Sequence, residues 1–195
     1  MRPGGGKRKG SAFERDVCRI ISQFWSNNSY SDLCWRSASS GVRGTSTNSH
    51  SRSKVKGYYG DLTATSPLIE PLFQVFSIEC KFYAKIDLTE ILRGIKNNKL
   101  LEFWTQAYRD ARHSGRTPVL ITKQNFLGTL MIIRLADANK LLHTMDKPVK
   151  YMTIGQELAI FNLDDFLKNV NRERFIRTVK ILAEESINAE TESAA

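Results

Sequence analysis

The chain has 195 residues, of which 41% are hydrophobic and 25% charged, a composition typical of a globular domain with its own core. No apolar run approaches the roughly 20 residues of a membrane-spanning helix, and no segment has the pattern of a secretory signal. We therefore expect a cytoplasmic protein without a membrane partner. Its three cysteines are widely spaced and form no CxxC pair, so we expect buried free thiols rather than disulfides or a zinc site.

The net charge is +9, and the basic excess is concentrated in two segments. The N-terminal arm, residues 1–10, contains basic residues and no acid, and residues 38–58 form a Ser- and Gly-rich basic loop that we expect to be mobile. Such segments can neutralise DNA phosphates and release counterions, although a basic loop by itself is equally typical of a solvated segment without a ligand. The candidate nucleic-acid contacts are Lys7, Arg8, Lys9, Arg36, Arg43, Arg52, Lys54 and Lys56.

The first half of the chain predicts a helix followed by three strands. Apolar residues recur at helical spacing over residues 11–26, with Ser11 as a candidate N-cap and Glu14 at the spacing of a capping box. The strand candidates are residues 33–37, 60–65 and 74–83. The connection SPLIEP between the last two contains two prolines, which favours a turn between antiparallel strands.

The second half predicts a helix at residues 99–113, strands at 118–122 and 129–134, a hairpin at 151–161, and one or two helices at 164–182. The tail, residues 184–195, is acidic and rich in small residues, which is typical of a frayed terminus. This order predicts an α/β fold with a central mixed sheet flanked by helices. We divide it into a core, residues 1–135, and a C-terminal extension, residues 136–195, packed on or appended to the core.

The strand FSIECKFY carries two charges inside a hydrophobic run. Because side chains alternate along a strand, its apolar residues face one side of the sheet, while Ser77, Glu79, Lys81 and Tyr83 face the other. Taken alone, the Glu79–Lys81 pair is typical of an exposed polar face.

Further acids give this pair a chemical interpretation. Asp61 opens the preceding strand candidate, and an antiparallel pairing would bring its carboxylate beside Glu79, with Glu70 in the connection as a rival. Two adjacent carboxylates repel unless a cation lies between them, and their oxygens suit Mg²⁺ or Mn²⁺. Glu14 either points towards the sheet or serves only as the capping partner of Ser11.

Together, these residues resemble the active-site pattern of the PD-(D/E)XK nuclease superfamily, with Glu14 on a helix, Asp61 at a strand start and Glu79-Cys80-Lys81 on the next strand. The opening KRKGSAFERDVCRII is similar to the first helix of archaeal-type Holliday junction resolvases. The resemblance covers residues 7–122, with Gly60 where the motif has proline. It implies a restriction-endonuclease-like αβββαβ core, a homodimer, and metal-dependent hydrolysis of DNA, including branched or four-way junction DNA.

The resemblance also implies residue roles. Asp61 and Glu79, with the backbone carbonyl of Cys80, would hold the Mg²⁺ or Mn²⁺. Lys81 would orient or activate the attacking water and offset charge in the transition state.

Supporting roles follow from the same resemblance. Glu14 would support a metal-bound water or a second ion, and Gln106 would support the site from the following helix. The serine that resolvases place near the scissile phosphate would be Ser37, Ser39 or Ser40.

The sequence leads to two hypotheses from different classes. The first is a Mg²⁺-dependent endodeoxyribonuclease, either Holliday junction resolvase-like, otherwise structure-selective, or a restriction or repair-type duplex nuclease. Such a small basic enzyme fits phage DNA recombination in the host cytoplasm. The second is a non-catalytic nucleic-acid-binding protein on the same fold, for which the basic segments alone suffice. A carboxylate and a lysine side by side on a core strand favour the nuclease.

Overall fold

The computed structural model describes residues 5–37, 60–86, 90, 93, 98–125 and 128–193, and within these it leaves out the side chains of residues 5–7 and 189–193. The helices are α1 (Gly5–Trp25), α2 (Glu70–Val75), α3 (Lys99–Arg112), α4 (Leu135–Leu142), α5 (Leu163–Asn169) and α6 (Arg172–Ser193). The strands are β1 (Cys34–Arg36), β2 (Leu62–Ala64), β3 (Phe76–Tyr83), β4 (Thr117–Gln124), β5 (Thr129–Arg134), β6 (Tyr151–Ile154) and β7 (Leu158–Asn162). Among these helices, none is both long and apolar enough to cross a bilayer.

The main sheet contains five strands in the order β3-β4-β5-β7-β6, with β3 and β4 parallel and the other pairs antiparallel. Strands β1 and β2 form a separate antiparallel ribbon in which Trp35 pairs with Thr63. The ribbon meets the edge strand β3 where the backbone N–H of Asp61 donates to the carbonyl of Ile78, at 2.8 Å. The predicted α/β class is confirmed, because the mixed sheet is flanked by helices and is consistent with a restriction-endonuclease-like fold.

Two hydrophobic clusters cover the two faces of the main sheet. The larger cluster contains Ile78 and Cys80 of β3 together with buried residues of α1, α2, α4, α5 and α6. The smaller cluster joins Leu120 and Ile132 to Leu100 and Ala107 of α3. The alternation of strand side chains explains this division. It places α3 on the face of β3 to which Glu79 and Lys81 belong. All three cysteines are buried and free, as predicted.

Helix α1 begins before the predicted start. It runs from Gly5, so Ser11 lies inside the helix and the predicted N-cap and capping box are wrong. The ammonium of Lys9 lies 5.8 Å from the ring centroid of Phe82, a cation–π contact that gives the basic arm a partner on β3. Because that partner is distant in sequence, the apolar periodicity of the helix does not reveal it.

The connection between β2 and β3 also differs from the prediction. Its second proline, Pro71, lies in the first turn of helix α2, where a missing N–H has no cost. The strand therefore begins at Phe76 rather than at residue 74, since residues 74–75 end that helix. The expected antiparallel ladder between β2 and β3 is wrong as well, because β2 pairs with β1.

The C-terminal residues complete the main sheet. The predicted hairpin is confirmed, with Tyr151 of β6 opposite Phe161 of β7, and β7 also pairs with β5. The region 164–182 contains parts of two helices, and the unpredicted helix α4 precedes the hairpin. The expectation of a frayed tail is wrong as far as Ser193, because α6 continues to that residue.

Candidate active site

Asp61 lies where the β1–β2 ribbon meets β3. Its Oδ2 accepts a hydrogen bond of 2.9 Å from the backbone N–H of Cys80, and the residue is 9% exposed. The rival acid, Glu70, is exposed in the first turn of α2. The geometry therefore favours Asp61 as the acid that accompanies β3.

Gly60 and Ser37 hold Asp61 in this position. Gly60 has a φ of +86°, and a Cβ atom there would lie 2.6 Å from the carbonyl oxygen of Ile78. A proline, whose φ is fixed near −65°, cannot adopt this conformation, so the departure from the superfamily motif has a local physical reason. Ser37 donates its backbone N–H to the Asp61 carbonyl at 2.8 Å and its hydroxyl to the Gly60 carbonyl at 2.9 Å.

Replacing Gly60 with alanine should destabilise the protein by about 2–4 kcal/mol, because a left-handed conformation and a close backbone contact are both penalised. Urea denaturation would measure this loss. Gly115→Ala is the matched control, since Gly115 also has a positive φ, +68°, but a Cβ atom there would meet nothing within 4 Å. Equal destabilisation by the two substitutions would contradict the importance of the contact with Ile78.

Glu79 and Lys81 lie on the face of β3 that packs against α3. The Lys81 ammonium pairs with Oε1 of Glu79, and the same oxygen accepts a hydrogen bond of 3.2 Å from the side-chain amide of Gln106. Glu79 is only 6% exposed, so this polar face is covered at Glu79, while Lys81 is partly exposed. The structure thus brings together Glu79, Lys81 and the predicted supporting residue Gln106.

Burial dominates the electrostatics of the two acids. Burial, together with the neighbouring charge of Glu79, raises the pKa of Asp61 to about 7, although the Cys80 N–H and the charge of Lys81 oppose this effect. Burial also raises the pKa of Glu79, although Lys81 opposes this effect. When the two carboxylates are ionised, the surrounding protein therefore does not fully compensate their negative charge.

The ammonium of Lys81 stays charged in this environment. Burial lowers its pKa, but the adjacent carboxylate of Glu79 outweighs burial, and the net pKa lies above the ordinary value. A lysine in this state provides a fixed positive charge rather than a proton acceptor.

The oxygens at this edge of β3 match the preferences of a small hard cation. The N–H and C=O of a strand residue point to the same side, so the bond from the Cys80 N–H to Asp61 places the Cys80 carbonyl on that side as well. Within the described ranges, no group of three or more His, Cys, Asp or Glu residues is arranged to hold a metal ion. Mg²⁺ commonly uses one or two carboxylates and keeps several waters, and Asp61, Glu79 and the Cys80 carbonyl fit that mode.

Glu14 forms an ion pair with Arg36, at the end of β1. The pair is partly buried, with side-chain exposures of 13% for Glu14 and 28% for Arg36. The predicted role of Glu14 as the capping partner of Ser11 is wrong, because Ser11 lies inside α1. Its carboxylate instead faces the β1–β2 ribbon. Its charge is a minor contributor, after burial, to the raised pKa values of Asp61 and Glu79. Arg36, a candidate DNA contact, is engaged with this carboxylate.

The remaining candidate DNA contacts are placed only in part. Arg8 and Lys9 are exposed on α1, Ser37 is buried, and the side chain of Lys7 lies outside the described residues. Residues 38–59, which also lie outside them, include Ser39, Ser40, Arg43, Arg52, Lys54 and Lys56. The two described residues that flank this segment, Ser37 and Gly60, are hydrogen-bonded to each other, and Ser37 is also bonded to Asp61.

Two residues near the site were not singled out from the sequence. The carboxylate of Asp110 contributes, after burial, to the raised pKa of Glu79. Its position four residues after Gln106, on the same helical face, was a usable signal. Thr122 is buried, and its hydroxyl donates to the Lys81 carbonyl at 2.9 Å. That contact depends on the parallel pairing of β3 with β4, which no local pattern reveals.

Comparison with protein-family models matches residues 5–177 to a family described as "Phage putative PDDEXK endonuclease". The match includes Glu14, Asp61, Glu79 and Lys81, and it extends beyond β4 through the hairpin and into α6. No curated protein and no solved structure matches the chain.

Proposed function

Since the chain belongs to this phage PD-(D/E)XK endonuclease family, we propose that it is a divalent-metal-dependent endonuclease that hydrolyses DNA phosphodiester bonds. The observation that carries the proposal is the burial of Asp61 and Glu79 together at the edge strand β3, with Lys81 beside them. A non-catalytic DNA-binding protein would have no need for two incompletely compensated carboxylates in its interior.

In this proposal, Asp61, Glu79 and the Cys80 carbonyl hold Mg²⁺ or Mn²⁺. When bound, the ion supplies Lewis acidity at the phosphate and lowers the pKa of a coordinated water. The protein itself holds these carboxylates in position before the ion binds. The Cys80 N–H fixes one oxygen of Asp61, and the Gln106 amide orients the Glu79 carboxylate.

Lys81 acts as an electrostatic stabiliser. Its ammonium remains protonated beside Glu79, so it can offset the negative charge that builds on the phosphate oxygens in the transition state. It can also orient the attacking water by donating a hydrogen bond. Glu14, held by Arg36, would accept a hydrogen bond from a water near Asp61.

Branched DNA, including the four-way junction, is the proposed substrate class. The basic residues of segment 38–59 and the exposed Arg8 and Lys9 would neutralise its phosphates. A homodimer would present two such sites, as the resolvase resemblance implies, and the setting would be phage DNA processing in the host cytoplasm.

Cleavage assays with a four-way junction, a flap, a linear duplex and single-stranded DNA, with and without Mg²⁺, test the proposal. Wild type should cut the branched substrates only with Mg²⁺, and Asp61→Asn should bind DNA without cutting it. Asp164→Asn, at an exposed aspartate of α5, is the control and should cut normally. Binding without cleavage under every condition would instead establish the DNA-binding protein, and faster cleavage of linear duplex would indicate a restriction or repair-type nuclease.

A further inference from the structure

The active-site face of β3 continues into an exposed aromatic residue. Tyr83 ends the strand two residues after Lys81, about 7 Å along the chain, and alternation places it on the same face. Its contact with Phe103 of α3 confirms this orientation, because Glu79 contacts the same helix through Gln106. Tyr83 is nevertheless 41% exposed.

Phe103 and Lys99 complete a small surface around Tyr83, which we call the aromatic platform. The rings of Tyr83 and Phe103 meet nearly at right angles, with centroids 5.5 Å apart. The Lys99 ammonium lies 5.9 Å from the Tyr83 centroid and 5.4 Å from the Phe103 centroid. The platform therefore combines apolar ring surface with a positive charge, and it begins two residues after Lys81 along β3.

We propose that the aromatic platform binds the nucleotide next to the scissile phosphate, with its base stacked on Tyr83 and its phosphate beside Lys99. This inference rests on the proposed nuclease function and specifies its substrate. DNA bound at Lys81 must continue past it in both directions, and the platform adjoins the C-terminal end of β3. A ring combined with a cation matches the two chemical parts of a nucleotide, its base and its phosphate.

The platform favours DNA with an unstacked base. In a continuous duplex both faces of each base are covered by neighbouring bases, whereas a branch point, flap or single strand exposes a face for stacking on an aromatic side chain. Lys99 is paired with Glu102 on the exposed surface of α3, where a phosphate can replace the carboxylate. Structure selectivity would thus arise from a specific stacking site next to the cleavage centre.

An abasic scan tests the stacking contact. A flap DNA carries one abasic site, moved through each position around the branch, and its affinity is measured by fluorescence anisotropy without divalent metal. For wild type, one or two positions should lose about 5-fold or more in affinity, in line with base–aromatic stacking. Tyr83→Ala should bind the intact DNA more weakly by a similar factor and lose nothing further at those positions, while Tyr83→Phe should behave as wild type.

Tyr151→Ala is the matched control, since Tyr151 is 42% exposed but lies on β6, at the opposite edge of the main sheet. The Tyr151→Ala variant should lose affinity at the same abasic positions as wild type, and by the same factor. The proposal is overturned if Tyr83→Ala loses affinity at the same abasic positions as wild type, or if it binds intact DNA as wild type does and alters only self-association. Because these are binding measurements, a protein that stacks the base yet cuts no DNA would contradict the nuclease function alone.

Lys99→Gln provides a second test that leaves the rings in place. It should reduce the slope of log affinity against log salt concentration by about one, the value for one lost phosphate contact. An unchanged slope would overturn the assignment of Lys99 to the phosphate. The Lys99 side chain is exposed, so this variant tests the proposal even if Tyr83→Ala does not fold.

Discussion

Replacing Glu79 with glutamine should lower the cleavage rate constant by about 1000-fold or more while DNA affinity changes little. A carboxylate that holds the catalytic ion contributes several kcal/mol to transition-state stabilisation, and each 1.36 kcal/mol corresponds to a factor of ten in rate. Glutamine keeps the size and shape of the side chain and an oxygen that can accept the Gln106 hydrogen bond. Single-turnover cleavage of the four-way junction or flap at saturating protein measures the effect.

The same substitution should not unfold the protein. Burial raises the pKa of Glu79, so the ionised carboxylate is held in an environment that disfavours its charge, and a neutral amide removes that cost. We therefore expect an unchanged or increased free energy of unfolding, which separates a catalytic loss from a structural one. Glu173→Gln, at an exposed glutamate of α6, is the matched control and should cleave normally. Residual activity above a tenth of wild type would contradict a metal-binding role for Glu79.

The sequence was sufficient to predict β3 and the acids around it, because the relevant patterns are short. Alternation over eight residues separates the apolar side of β3 from Glu79 and Lys81. The hairpin of β6 and β7 is likewise defined by neighbouring residues. In both regions, side-chain periodicity and local chain reversal are sufficient to predict the structure.

The sequence was insufficient where the deciding partner is distant. Glu14 has the spacing of a capping residue, but its partner is Arg36, on a strand that only the folded ribbon brings close. The early start of α1 is accompanied by the contact between Lys9 and Phe82. Strand β2 was assigned to the wrong neighbour because pairing with β1 spans the basic segment. The covering of Glu79 by α3 also depends on the parallel crossover from β3 to β4.

Asp61 should make the metal-free protein less stable as the pH rises. Its pKa is raised to about 7 in the folded protein, whereas an unfolded aspartate titrates near 3.8, so between these values the folded state holds a proton that the unfolded state releases. The contribution of Asp61 to the free energy of unfolding is therefore fully present below about pH 4. It declines as the pH rises and is lost above about pH 7. At 1.36 kcal/mol per pH unit, the loss amounts to at most about 4 kcal/mol.

Urea denaturation at several pH values between 4 and 8, in the presence of a chelator, would measure this decline. Asp61→Asn should remove most of it, because asparagine has no proton to lose and can still accept the hydrogen bond from Cys80. Glu79, Glu14 and Lys81 also act on Asp61, so the difference between wild type and Asp61→Asn is the quantity to compare. An identical pH dependence in the two proteins would contradict the raised pKa.

Mg²⁺ connects this stability to the proposed catalysis. A cation beside Asp61 favours the ionised carboxylate, so Mg²⁺ should stabilise wild type above pH 7, by about 2.7 kcal/mol at a concentration 100 times its dissociation constant. Asp61→Asn should gain much less, while the control Asp164→Asn should respond as wild type does. If Mg²⁺ stabilised Asp61→Asn and wild type equally, the ion would bind elsewhere. The loss of protein stability at high pH without metal would then result from the burial of the carboxylates alone, with no relation to metal binding.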